Sequence, residues 1–244
     1  PPWMVASLGA SAVLIIALPS SPLAQPWPVL AGTVLSYLVG VACAALVPSL
    51  SLASGLAVGL SVAVMLALQY TFGLRVKESI EIRPAHALIE GGKTLELNQG
   101  TKGGKSRTVP VDTPEKRDVI QWALRVANSD NTKRVRWPSC TWTQAQNRFY
   151  HLVRNRLGVT KKELGVTPHG LRHEWSQDEY KAQTGLPTPV EGGALGKIDR
   201  PTHQMASMTV SRWLGHGRID VTTSYYGSYG HALRPTTPVT MTYK

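Results

Sequence analysis

The stretch that decides the chemistry of this chain reads His169-Gly170-Leu171-Arg172-His173, with Leu214-Gly215-His216 and Tyr225-Tyr226 after it. An arginine and two imidazoles can surround a phosphate group, because they offer several hydrogen-bond donors around its oxygens. A tyrosine nine residues beyond the last histidine can attack the phosphorus that they hold. The stretch therefore predicts a site for phosphate chemistry in the last third of the chain.

Two further segments upstream complete an ordered set. Gly73-Leu74-Arg75-Val76-Lys77-Glu78 offers a second arginine, and Thr101-Lys102-Gly103-Gly104-Lys105 offers a lysine in a glycine turn. The order Arg, Lys, His-x-x-Arg, His, Tyr resembles the catalytic domain of the tyrosine recombinases (phage integrases). The resemblance covers about residues 66–244 and implies a mainly α-helical domain with a small antiparallel β-sheet.

The resemblance also implies an activity, which is the breaking and rejoining of DNA through a 3′-phosphotyrosyl intermediate. Its partners would be double-stranded DNA and, by the family pattern, other copies of the chain in a tetramer on that DNA. No metal and no other cofactor is expected. The family's catalytic residues fall on Arg75, Lys102, His169, Arg172, His216 and Tyr225.

Within this set the residues themselves indicate roles. The planar guanidinium groups of Arg75 and Arg172 can each hold two phosphate oxygens. Lys102 is assigned by the family's Lys-Gly-x-Lys pattern to protonate the leaving 5′ oxygen, and Lys105 is an equally basic neighbour. Tyr225 rather than Tyr226 is the expected nucleophile, since the family pattern places it nine residues after the histidine.

Two residues are expected to support these groups. Glu78 lies one helical turn after Arg75 and can orient its guanidinium. His173 lies four residues after His169, on the same helix face. A histidine pair with this spacing is also typical of zinc sites, but no glutamate lies between the two and no third ligand is evident, so no metal site is predicted.

Several other basic residues are candidates for contacts to the DNA backbone. Such contacts would position a duplex without reading its sequence. A run of charges is also the usual pattern of a solvated face, and that alternative stays open. The candidates are Lys105, Arg107, Lys133, Arg134, Arg136 and Arg154.

Charge divides the chain into two parts. The 244 residues carry a net charge of +11, yet residues 1–74 contain no Asp, Glu, Lys or Arg. An uncharged, apolar front therefore precedes a basic back half, whose charge favours a polyanionic partner. The cysteines, Cys43 and Cys140, have no partner motif and favour a reducing compartment over a disulfide framework.

The front contains three apolar runs, at residues 3–18, 29–47 and 52–74, with a proline-rich break after the first. Their lengths are close to the 17–25 residues that cross a bilayer, so three transmembrane-like helices are predicted. The basic residues Arg75 and Lys77 after the third run favour a cytoplasmic back half. The alternatives are a buried hairpin of a soluble domain and a cytoplasmic protein whose front is not inserted.

Two short motifs in the apolar front also carry a family resemblance. Residues 9–14 (GASAVL) and 19–26 (PSSPLAQP) resemble the HPP family of integral membrane proteins, some of which are linked to nitrite transport. The resemblance covers about residues 1–65, although the family's His-Pro-Pro tripeptide and its fourth helix are not seen. It supports an alternative function, an HPP-type membrane transport fragment with an inactive recombinase-derived tail. A product of gene rearrangement near an integration site is a third interpretation.

These resemblances predict two domains, a membrane segment over residues 1–65 and a catalytic domain over residues 66–244. The junction is expected within residues 58–68, inside one apolar helix. The apolar front stands where the family's DNA-clamping helical domain is expected.

Alternation and periodicity predict the elements of the back half. Strands are predicted at 80–82, 95–97 and 107–111, the last two joined as a hairpin. Helices are predicted at 116–128 and 142–157, from 169 onward and at 205–214, with a loop over 183–203.

Overall fold

The computed structural model describes residues 50–128, 132–138, 140–193 and 197–230. The predictions for the first two apolar runs, within residues 1–49, lie outside the described residues. No helix of the described part combines the length and the apolar character needed to cross a membrane.

The described elements are mostly helical. The α-helices are α1 (Leu50–Phe72), α2 (Val76–Glu81), α3 (Pro84–Ala87), α4 (Pro114–Asn128), α5 (Trp142–Tyr150), α6 (Pro168–Thr184), α7 (Arg200–Leu214) and α8 (Ile219–Tyr226). Three strands, β1 (Leu88–Ile89), β2 (Thr94–Leu97) and β3 (Arg107–Pro110), form an antiparallel sheet in the order β1-β2-β3. Short 3₁₀ turns lie at Glu90–Gly92, Lys102–Gly104 and Pro189–Glu191, and a π-helical turn, His151–Arg156, continues α5. The predicted mainly helical fold with a small antiparallel sheet is confirmed.

The chain forms two compact units, which meet in sequence between Arg172 and His173. The first unit contains α1 to α5, the sheet and the first turn of α6. The second contains the rest of α6 together with α7 and α8. Each unit is described by itself below.

Helix α1 covers most of the third apolar run, the helix in which the junction between membrane segment and catalytic domain was predicted. Its second half is buried in the first unit, with Val64, Met65, Leu68 and Phe72 each fully buried. Gln69 is buried as well, and its amide donates to the Met65 carbonyl at 3.0 Å and to the Ser79 hydroxyl at 3.0 Å. Helix α1 packs against α4, so this apolar surface belongs to a protein core.

The sheet matches the hairpin prediction and corrects one strand. Strand β2 pairs with β3 in the register Leu95↔Val109 and Leu97↔Arg107. The prediction of a strand at 80–82 is wrong, because this segment ends α2. Ile80 and Ile82 are both buried, Ile80 within the helix and Ile82 at its C-cap, where the backbone is no longer helical.

The remaining helix predictions are confirmed, with shifted ends. The 142–157 prediction corresponds to α5 and its π-helical continuation. Helix α7 begins five residues before the predicted start, because Asp199 caps it by accepting from the Thr202 backbone N–H at 2.7 Å. The predicted loop over 183–203 therefore contains the start of a helix and one 3₁₀ turn.

Candidate catalytic site

The first unit contains a cluster of arginines around one buried carboxylate, which we call the arginine cluster: Arg75, Glu78, Arg107 and Arg172. Glu78 has no exposed surface. Arg75 Nη1 donates to Glu78 Oε1 at 2.7 Å, and Arg107 Nη2 donates to Glu78 Oε2 at 2.7 Å. Arg172 Nη1 lies 4.0 Å from Glu78 Oε2. Three guanidinium groups thus lie around the Glu78 carboxylate.

Local chain geometry builds this cluster. Gly73 adopts φ 59°, in the left-handed region that glycine tolerates, and turns the chain from α1 into α2. Its carbonyl accepts hydrogen bonds from Arg172 Nη1 and, at 3.4 Å, from Arg107 Nη2. Glu78 also accepts from the Arg75 backbone N–H at 2.7 Å, which satisfies a donor at the start of α2.

The Glu78 carboxylate stays charged because of its partners. Burial raises the pKa of Glu78, but the charge and hydrogen bond of Arg107, followed by the charges of Arg75 and Arg172, outweigh burial. The net result is a pKa below the usual glutamate value. The ionised carboxylate can therefore orient the guanidinium groups of its neighbours.

His169 lies beside this cluster, in the first turn of α6. Thr167 caps that turn, since its hydroxyl accepts from the Gly170 backbone N–H at 3.1 Å. The His169 residue is exposed overall, but partial burial of its ring, and then the positive charges of Arg172 and Arg75, lower the pKa of the imidazole. A neutral imidazole is favoured at pH 7, and such a group can accept a proton.

The second unit places Tyr225 against two histidines. The Tyr225 ring stacks on His173 with a centroid distance of 4.3 Å and an interplanar angle of 28°. The His216 ring lies 5.9 Å from the Tyr225 ring, between centroids. Tyr225 is 8% exposed. The contact between His173 and Tyr225 was not predicted from the sequence, which indicated for His173 a supporting position near His169.

The position of His216 follows from the end of α7. Gly215, with φ 75°, ends the helix, and its N–H donates to the Arg212 carbonyl at 2.9 Å. The His216 backbone N–H donates to the Ser211 carbonyl at 3.0 Å. The chain therefore turns sharply just before His216, as is typical of a glycine-terminated helix.

Tyr226 has a different environment from its neighbour. It is fully buried, and its hydroxyl lies 2.6 Å from the Thr222 hydroxyl and 3.2 Å from the Ser207 carbonyl, to which it donates. Its ring stacks on Tyr180 at 5.3 Å. Burial raises the pKa of the Tyr226 phenol, more than the two hydrogen bonds lower it. These contacts make Tyr226 part of the core of the second unit.

The other basic candidates fall into two groups. Lys102 and Lys105 are exposed in and beside the β2–β3 turn, and Lys133 is exposed with φ 55°. Arg154 is exposed in the π-helical turn, where its guanidinium lies 4.3 Å from the centroid of the Tyr150 ring. These four are placed where a polyanion could reach them.

The other three candidates are arginines that are mostly buried and paired with glutamates. Arg134 and Arg136 form ion pairs with Glu81 at 3.2 and 2.8 Å and are mostly buried. Arg107 is 5% exposed and belongs to the arginine cluster, which differs from the exposed position expected of a contact to the DNA backbone. Strand alternation could have indicated this, because Arg107 lies on the same strand face as the buried Val109.

Comparison with known proteins finds two family models that match parts of this chain. The family model described as "Integrase" matches residues 52–178, and the model described as "HPP, transmembrane region" matches residues 1–72. Both matches include most of α1. Tyrosine recombinase XerD of Neisseria meningitidis serogroup A is 25% identical over 163 residues, which are 64% of this chain and 53% of XerD. The chain thus spans about half the length of this relative. No solved structure matches.

Proposed function

Because the chain belongs to the integrase family, we propose that it breaks and rejoins double-stranded DNA through a 3′-phosphotyrosyl linkage to Tyr225. The observation that carries the proposal is the arginine cluster, in which Arg75 and Arg172 lie around the buried Glu78 carboxylate. Guanidinium groups held in this way suit the binding of a DNA phosphate. Phosphoryl transfer depends on stabilising the phosphate charge in the transition state.

The proposed step balances as follows. The Tyr225 oxygen forms a bond to the scissile phosphorus, and the bond from phosphorus to the DNA 5′ oxygen breaks. The tyrosine proton leaves to a base, and Lys102 donates a proton to the departing 5′ oxygen. A DNA 5′ hydroxyl then attacks the phosphotyrosine, which releases the tyrosine and restores the phosphodiester.

The supporting residues have separate roles in this proposal. Arg75 and Arg172 hold the non-bridging phosphate oxygens, and Glu78 orients both guanidinium groups from the buried side. His169, with its lowered pKa, accepts the proton or a hydrogen bond from the reacting groups. His216 contacts the phosphate from the turn that follows α7.

The choice of Tyr225 over Tyr226 is supported by their environments. The Tyr226 hydroxyl is held by Thr222 and Ser207 in the core. The Tyr225 ring instead stacks on His173 and lies near His216. Adjacent positions on a helix point about 100° apart, so one phenol can reach a substrate while its neighbour supports the core.

A suicide DNA substrate, which loses a short strand after cleavage and so traps the covalent adduct, tests the proposal with the full chain. We expect the wild-type chain to form the adduct and Tyr225→Phe to form none while it retains DNA affinity. Tyr226→Phe is the matched control. It should form the adduct and lose about 1–2 kcal/mol of stability, since the Thr222 and Ser207 groups lose a buried partner.

Two results would contradict the proposal. An adduct that maps to Tyr226 would show that Tyr225 is not the nucleophile. A wild-type chain that binds DNA and forms no adduct would favour the other candidate, an HPP-type membrane fragment with an inactive recombinase-derived tail, which the match over residues 1–72 supports.

We also propose that residues 1–65 are an HPP-like membrane segment, and that residues 66–244 form a catalytic domain on the cytoplasmic side. The HPP match and the absence of charge before Arg75 support this organisation. After expression, the full chain should stay with the membrane pellet through alkaline carbonate extraction. Recovery of a monodisperse chain from the soluble fraction without detergent would refute it.

A further inference from the structure

Helix α6 contacts Tyr225 at two points within the second unit. One is the ring contact from His173, at 4.3 Å between centroids. The other is a hydrogen bond from the side-chain amide of Gln177, whose Nε2 donates to the Tyr225 backbone carbonyl at 2.9 Å. His173 and Gln177 are four residues apart, so both side chains extend from the same face of α6.

The carbonyl that Gln177 binds lies at the end of α8. The last four carbonyls of an α-helix have no donor from the following turn. At the end of α8 the Gly227 N–H donates to the Thr223 carbonyl at 2.8 Å, and the helix stops there. The Gln177 amide thus supplies a donor for the Tyr225 carbonyl. This donor belongs to another helix, 48 residues earlier in the chain.

We propose that Gln177 is a positioning residue for Tyr225, which sets the place of its phenol by holding its backbone carbonyl while His173 holds its ring. This inference rests on the proposed function, since it concerns the geometry of the same nucleophile. Two contacts at opposite ends of one residue restrict both its translation and the rotation of its ring. This role could not be predicted from the sequence, because Gln177 belongs to no motif of the chain.

A fixed phenol matters because the reaction needs the attacking oxygen in line with the leaving oxygen. A displacement of about 1 Å can slow a reaction on the order of 100-fold without weakening substrate binding. Loss of the Gln177 bond should therefore change the rate of adduct formation and leave DNA affinity intact. A residue with only a structural role would change stability and leave the place of the Tyr225 ring unchanged.

The experiment uses the full chain and the variant Gln177→Leu, which keeps the volume of the side chain and removes its donor. Gln177→Glu serves as a second variant, because a carboxylate is of similar size and cannot donate. Gln183→Leu is the matched control, since Gln183 is an exposed glutamine on the same helix. Each variant is measured for its single-turnover adduct rate, its DNA dissociation constant and the ¹⁹F resonance of 3-fluorotyrosine placed at position 225.

We expect both Gln177 variants to lose about 10- to 100-fold in adduct rate, with DNA dissociation constants within about twofold of the wild type. Their ¹⁹F resonance should move toward that of the unfolded chain, because the ring leaves its stacked position on His173. Gln183→Leu should match the wild type in all three measurements. An unchanged rate and an unchanged resonance in both Gln177 variants would overturn the inference.

The ¹⁹F measurement separates this inference from the proposed function. If the wild-type chain forms no adduct, the proposed function fails and the resonance alone decides whether Gln177 positions Tyr225. A shift in the Gln177 variants then supports the positioning contact, and the wild-type resonance in those variants refutes it.

Discussion

At the scale of single residues, the first unit is marked by a buried carboxylate that is paired with buried arginines. Glu78 is fully buried, and its two oxygens accept from Arg75 and Arg107. The ion pair between Arg75 and Glu78 agrees with the sequence-based hypothesis that Glu78 orients this arginine. The roles of both residues in catalysis stay predictions.

Glu78→Gln should destabilise the protein strongly. It removes the negative charge that compensates Arg107 and Arg172, both of which are buried, and removal of one partner of a buried ion pair costs about 3–5 kcal/mol. Urea denaturation measures the change. Glu163→Gln is the control, since Glu163 is exposed, and a surface change of this kind is expected to alter stability by less than about 0.5 kcal/mol.

The same substitution has a pH signature with a definite sign. The pKa of Glu78 is lowered in the folded protein, so its contribution to stability is present above the ordinary value of 4.5 and is lost as the pH falls through the lowered folded value. The wild type should therefore lose stability in acid more steeply than Glu78→Gln. Parallel acid profiles of the two proteins would contradict this account of the cluster.

At the scale of elements, glycines that end helices place the candidate site residues. Gly73 separates α1 from α2 and presents its carbonyl to Arg172. Gly215 ends α7 immediately before His216. In both cases a left-handed glycine joins a packed helix to a short segment that carries a predicted catalytic residue. The direction of that segment depends on the glycine.

Gly215→Ala should lower the rate of adduct formation, whereas a comparable glycine substitution elsewhere should lower only the stability. A side chain at φ 75° costs about 1–2 kcal/mol, and the strain falls on the residue just before His216. Gly185→Ala is a matched control, because Gly185 also follows a helix, at φ 69°, with no atom close to an added Cβ. The two variants should lose similar stability in thermal denaturation. Equal adduct rates in both would refute a special role for the turn at Gly215.

At the scale of the whole molecule, the net charge of +11 overstates the basic surface that a DNA partner could use. Arg107 belongs to the buried arginine cluster, and Arg134 and Arg136 are paired with Glu81. Lys102, Lys105, Lys133 and Arg154 remain exposed. The exposed positions, and not the total count, should determine how DNA affinity depends on salt.

Arg154→Ala should lower the salt dependence of DNA binding. Each phosphate that a cation neutralises contributes about −0.9 to the slope of log affinity against log salt, so the slope should become smaller by about one unit. Lys181→Ala is the control, because Lys181 pairs with Glu191 at 2.8 Å and with Asp178 at 3.3 Å. Fluorescence anisotropy at several salt concentrations measures both. An unchanged slope in Arg154→Ala would remove this residue from the DNA contacts.

The sequence by itself determined the helical class, the β2–β3 hairpin and the order of the candidate catalytic residues. These follow from local chemistry: periodicity along a helix, a glycine turn between strands, and short motifs such as His169-x-x-Arg172, whose spacing is that of one helical turn. The apolar front could also be recognised from the sequence, because it carries no charge over 74 residues.

Only the tertiary structure decided where the long-range partners lie. It placed Arg107 in the core beside Glu78, paired Arg136 with a glutamate 55 residues earlier, buried the second half of α1 against α4, and brought Gln177 to the Tyr225 carbonyl. Such contacts join residues that are distant in the chain, and they leave no period or motif in the sequence. A basic or amide side chain shows its chemistry in the sequence, whereas its burial and its partner depend on how separate elements pack.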